Sequence, residues 1–189
     1  MYRRYTGESL AVKLSDFADV SERIQYLVTQ VEEITKIDNF GAYLTAMLEI
    51  DAFFMNEDRH TNNIAVIYNE KTQKYELSPF FDQGLCMFAD INQDYPIDQS
   101  LEYCLEKIEA KPFSSDFDIQ LDAAEELYGI QIGFQFTFKD IQIYLQKNSE
   151  NYPREVIRRV EQLLRRQMRK YGYLMKKMIL QRVCEVTGR

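Results

Sequence analysis

The 189-residue chain has no Trp, a single His, three Cys, seven Gly and four Pro. One histidine, His60, excludes a multi-histidine zinc site. Cys86, Cys104 and Cys184 form no C-x-x-C pair, and an odd count without a leader peptide fits reduced thiols in a cytoplasm better than a disulfide framework. Any metal is therefore expected on oxygen ligands. No apolar run approaches the roughly 20 residues that span a bilayer, and the N-terminus lacks the continuous apolar stretch of a secretory signal. The glycines make neither G-x-G-x-x-G nor the P-loop G-x-x-x-x-G-K. There is no repeat, no low-complexity tract and no Gly/Ser linker, so one compact unit over residues 1–189 is expected.

What is present is aromatic and charged. With 46% hydrophobic residues, 13 Tyr and 12 Phe, the composition is that of a folded, soluble chain. The formal net charge of −7 conceals an asymmetry. From Arg154 to Arg189 there are 11 Lys and Arg against 3 Asp and Glu, a balance of +8, which leaves −15 on the preceding residues. Such a segment can contact an anionic partner or simply match the acidic body. Val156, Val160, Leu163, Leu164, Met168, Tyr171, Met175, Met178 and Ile179 recur as the core stripe of a long helix. Its Lys and Arg then form the solvated face, and direct nucleic-acid contact is not expected.

Apolar spacing predicts a helix from about Asp16 to Thr35, capped by Ser15, and a second from Asn39 to about Met55. The period then changes to that of strands. Ile64 to Tyr68, a polar turn at Asn69 to Lys74, and Tyr75 to Phe81 predict an antiparallel hairpin. Beyond it, a short helix is expected from Gln99 to Ile108. Three more follow, at about Asp116 to Tyr128, Phe138 to Lys147 with Thr137 and Asp140 as a capping box, and Pro153 to about Val186 with a possible break at Gly172.

The hairpin has a chemical consequence. If Asn69 and Lys74 close the turn, Asn63 falls opposite Phe80, and Asp82 lies two residues further on. Asp58 precedes Asn63 by five residues, so two carboxylates, an amide and His60 would share one small volume. Oxygen ligands of this kind suit a Mg²⁺ that is also held by substrate phosphates. Taken singly, each residue is a turn, cap or hydrogen-bonding residue; together they have a specific use.

Asp58-Arg59-His60-Thr61-Asn62-Asn63 followed by Phe81-Asp82-Gln83-Gly84 resembles the catalytic loop and metal-binding motif of the HipA toxin family of serine/threonine kinases and of phosphoinositide kinases. The flanks, Asp51 to Glu57 and the run Leu77 to Asp82, are similar to the HipA arrangement, and the likeness covers roughly residues 15 to 88. It implies a mainly α-helical, kinase-like C-terminal lobe with a β-hairpin carrying the metal-binding residues. It further implies ATP and Mg²⁺ as cofactors, Asp58 and His60 as catalytic residues, and Asn63 and Asp82 on the Mg²⁺ and the nucleotide phosphates. The implied partners are a protein substrate and an antitoxin-type protein. Arg59 is closer to the phosphoinositide-kinase loop, but the −15 body opposes docking on anionic membrane.

Half of a kinase is not found. Ala11-Val12-Lys13-Leu14 is superficially similar to a Lys-bearing strand, with Glu32 as its partner, yet too few residues separate Glu32 from Asp58 for the rest of a small lobe. An edge strand or connecting segment is the expectation there. The N-terminal, nucleotide-binding lobe is expected upstream or on a separate chain, and the isolated chain is expected to have little activity. The alternative is a non-catalytic binding or regulatory module of the same fold. The stretch from Leu85 to about Phe113 would occupy the place of an activation segment.

Overall fold

The computed structural model describes residues 9–175. They are mainly helical, with one two-stranded antiparallel sheet. The chain divides into two compact units, one made of the residues up to Leu85 together with Glu109–Gln131, the other of Cys86–Ile108 and the residues from Ile132 onward.

The first unit is built on α1 (Leu10–Ser15), α2 (Val20–Thr35), α3 (Phe40–Phe54) and α5 (Phe117–Tyr128). Ala11 to Leu14 lies in α1 and is helical, which corrects the edge-strand expectation. Helix α2 begins later than its apolar spacing suggests. Its N-cap is Asp19, whose carboxylate accepts from the amides of Ser21 (2.8 Å) and Glu22 (3.2 Å), whereas the Ser15 hydroxyl turns back to the Val12 carbonyl. A carboxylate that satisfies two orphan amides is the better cap. Helix α3 is apolar on nearly all sides, and so it is the buried one. Leu44, Met47, Leu48 and Phe53 are fully covered, and the first three pack with Ile24, Leu27, Phe113 and Ala124. Gly41 is where α3 meets α5: a β-carbon built there would lie 2.5 Å from the Tyr128 ring. Lys13 pairs with Asp16 at 3.0 Å, while Glu32 accepts from the Phe40 amide at 3.0 Å at the start of α3. Lys13 and Glu32 thus serve two different helix ends.

Strands β1 (Val66–Asn69) and β2 (Lys74–Leu77) pair with Asn69 opposite Lys74 and Val66 opposite Leu77, the register expected from the turn. Tyr43 of α3 holds the segment leaving β2. Its hydroxyl is 3.0 Å from the Ser78 hydroxyl and its ring lies 5.0 Å from that of Phe80. Burial raises the Tyr43 pKa, so the phenol is the form that makes this bond.

The second unit holds α4 (Leu101–Lys107), α6 (Phe138–Lys147) and α7 (Arg154–Lys170). Thr137 and Asp140 make the expected capping box on α6. Helix α7 closes at Lys170 with Tyr171 as its C-cap, and residues 172–175 are helical again, so the chain breaks beside Gly172 as expected; the rest of the expected helix, from 176 to Val186 with Met178, Ile179 and Cys184, lies outside the described residues. Leu163 and Leu164 are buried as part of its apolar stripe. Buried Arg159 donates to the carbonyls of Tyr95, Pro96 and Gln99, tying the loop before α4 onto α7. Cys104 is buried as a free thiol, the packing role expected of it. No helix among the described residues is long and apolar enough to cross a membrane.

Candidate functional site

The site begins where α3 stops. Met55 takes a left-handed conformation (φ 54°), and the chain turns so that the Asn56 amide reaches the Asp51 carbonyl at 2.9 Å. Asp51, Asn56 and Arg59 are all fully buried. The Arg59 guanidinium grips the Asp51 carboxylate with two bonds, Nε to Oδ2 at 2.6 Å and Nη2 to Oδ1 at 2.9 Å, and Asn56 Nδ2 adds a third at 2.8 Å. Burial pushes the Asp51 carboxyl above its usual range, and the bonds from Arg59 and Asn56 pull it back. The charge of Asp51 therefore depends on Arg59.

Arg59 has a second function. Its Nη1 donates to the carbonyls of Asn63 (3.1 Å) and Phe81 (2.9 Å). One side chain thus binds the last turn of α3, the loop and the segment that delivers Asp82. The Asn63 side chain stitches the loop from inside, with Nδ2 donating to the Asp58 carbonyl at 3.0 Å. Asp82 also takes a left-handed conformation, φ 56°.

The outcome is a cluster at the surface. One ligand atom each from Asp58, His60 and Asp82 lies within 4.8 Å of the others. His60 Nε2 is 3.9 Å from Asp58 Oδ2, and its Nδ1 is buried without a hydrogen-bond partner among the described residues. The fourth predicted residue, Asn63, is buried beside this group and joined to Asp58 through the loop backbone. Its Nδ2 is committed to the Asp58 carbonyl, which leaves Oδ1 as the amide's acceptor.

Two contributors escape sequence reasoning. An Arg in this loop can be expected to pair with a local carboxylate, as Arg59 does with Asp51, but nothing in the sequence signals its hold on the carbonyls of Asn63 and Phe81. Lys111, whose Nζ lies 3.5 Å from Asp58 Oδ1, comes from a remote loop and has no local signature at all. The cluster fits a hard divalent cation: two carboxylates are the ligand type that Mg²⁺ prefers, with imidazole alongside and the Asn63 amide buried next in the same loop.

Fold and site together define a helical protein that bears an Asp-His-Asp cluster beside a hairpin. Comparison of the chain with protein-family models, with curated proteins and with solved structures returns no match.

Proposed function

We propose that the chain is a HipA-like kinase C-terminal lobe, which transfers the γ-phosphate of ATP to a Ser or Thr hydroxyl of a protein once an N-terminal lobe completes it. The observation that carries this reading is the approach of Asp58, His60 and Asp82 to within 4.8 Å from two separate stretches of chain. Bound Mg²⁺ would neutralise charge on the nucleotide phosphates, and Asp82 with the Asn63 amide oxygen are the groups that would hold it. Asp58 takes the proton of the substrate hydroxyl as its oxygen bonds to the γ-phosphorus; the bond from that phosphorus to the bridging oxygen breaks and ADP leaves. His60 stands beside Asp58, its Nε2 3.9 Å from Asp58 Oδ2, where its ring would lie near the transferred phosphoryl. Arg59 touches none of the reacting atoms and acts as a positioning residue, because it fixes both motif segments by their carbonyls.

A regulatory module without turnover is the second reading. It is favoured by Lys111, whose ammonium sits 3.5 Å from the carboxylate that must accept the proton. Radiolabelled ATP separates the two, with the lobe encoded upstream or by a neighbouring gene supplied to the chain. Mg²⁺-dependent phosphorylation of Ser or Thr, reduced at least a hundredfold by Asp58→Asn and by Asp82→Asn, is expected for the kinase. Mg²⁺-dependent ATP binding without transfer identifies the module. Neither binding nor transfer sinks both.

A further inference from the structure

The basic helix α7 has a feature that neither reading uses. A cavity of about 580 Å³ lies between it and α4, and Arg158, Arg159, Arg166 and Arg169 all line it. Arg158, Arg166 and Arg169 are exposed, and none is within ion-pair distance of a carboxylate among the described residues. By contrast Arg165, on the neighbouring face, is engaged by Glu161 at 3.7 Å and by the Phe138 ring at 3.8 Å. Matching of the basic helix by local acidic partners thus stops at the cavity. Glu102 and Glu155 also line it, which leaves a formal balance of two positive charges on the lining, within a chain of net charge −7.

The chemistry of the lining narrows the ligand. Seven basic residues lie on α7, and six of them are Arg. The guanidinium fork binds a phosphate oxygen pair in a fixed plane, which a lysine ammonium does not do. Arg158 and Arg169 are eleven residues apart, or about 16 Å along the helix axis, so they can reach separate phosphates. The Ser100 hydroxyl accepts from the Tyr103 amide at 3.1 Å and keeps its own proton to donate, while Ile97 and Leu101 supply apolar lining. The volume is within the range of about 300–1,000 Å³ usual for small-molecule sites. Arg159 is fixed by three backbone carbonyls, so the loop that carries Ile97 and Ser100 is anchored to the same helix.

The geometry points to a binding site for a small organic molecule carrying two or more phosphate groups, between α4 and α7, on residues none of which belongs to the Asp58 cluster. The test is calorimetric titration of the full chain with inorganic tripolyphosphate at 150 mM salt, in EDTA so that no Mg²⁺-dependent binding contributes. Saturable one-to-one binding is expected, at least tenfold weaker in an Arg166→Ala/Arg169→Ala variant and unchanged in Asp82→Asn. Both arginines are exposed on the helix, and circular dichroism verifies that the variant is folded. Absence of saturable binding overturns the proposal. So does loss of binding in Asp82→Asn with retention in the arginine variant. An Arg166→Lys/Arg169→Lys variant that binds as tightly as the unaltered chain also overturns it, by reducing the site to charge alone. Tighter binding of a 20-nucleotide single strand than of tripolyphosphate overturns it in favour of a nucleic-acid surface.

Discussion

At Arg59 a positive charge is removed from water and repaid by four hydrogen bonds, two of them to the one carboxylate of Asp51. Removing one partner of such a pair strands the other, at a typical cost of about 3–5 kcal/mol. Arg59→Met is therefore expected to destabilise the protein by about that amount at neutral pH, measured by urea denaturation. The pH dependence has a definite sign. Burial holds the folded Asp51 pKa above its ordinary value of 3.8 even with Arg59 in place, and removing the guanidinium takes away the largest opposing effect and raises it further. A raised carboxyl contributes stability that is present below the unfolded value and lost as pH rises through the folded one. The deficit of Arg59→Met should then grow from acid toward neutral pH, and Asp51→Asn in the same background should remove that growth. A deficit independent of pH would show that Asp51 stays ionised without its partner. Asp82→Asn tests the neighbouring chemistry, with the expectation that Mn²⁺-induced relaxation enhancement of water is largely lost while the unfolding free energy stays within about 0.5 kcal/mol of the parent, because Asn tolerates the left-handed backbone at this exposed position.

Among the elements, α6 and α3 give contrasting cases. On α6, the Thr137 amide and hydroxyl both donate to Asp140 Oδ2, at 2.7 and 2.6 Å. These bonds lower the Asp140 pKa below 3.8. A lowered carboxyl contributes stability above its unfolded value and loses it as pH falls through the folded one. Asp140→Asn should accordingly lessen the acid sensitivity of α6 below about pH 4, followed by amide exchange of residues 138–141; an unchanged profile would contradict the capping role. This box was legible in the sequence, because caps depend on residues three apart. On α3, Gly41→Ala would normally favour a helix by about 1 kcal/mol. Here the added carbon meets the Tyr128 ring, and a net loss of about 1–3 kcal/mol is expected, reversed when Tyr128 is shortened to Leu. Nothing near Gly41 in sequence announces that contact, since Tyr128 arrives on a different helix. The start of α2 was misplaced for a similar reason: Ser15 and Asp19 are both competent caps, and the apolar spacing of Phe17 suited the earlier one.

For the whole molecule, the sheet among the described residues is a single hairpin. The kinase reading therefore assigns the chain one side of a nucleotide cleft, and purified 1–189 alone is expected to give only background phosphorylation in the radiolabelled ATP assay. Robust transfer by this chain by itself would overturn the two-lobed reading. The sequence alone determined the helical periods, the hairpin with Asn69 opposite Lys74, the α6 cap and the identity of the four polar residues that could share a volume. Those features depend on neighbours a few residues apart, where backbone geometry leaves few choices. Only the tertiary structure decided that buried Arg59 clamps the two motif segments, that Lys111 stands against Asp58, and that three arginines of α7 face a cavity without carboxylate partners. Each of these depends on which distant segments pack together, and that is set by burial of α3 and of the α7 stripe rather than by any local pattern of residues.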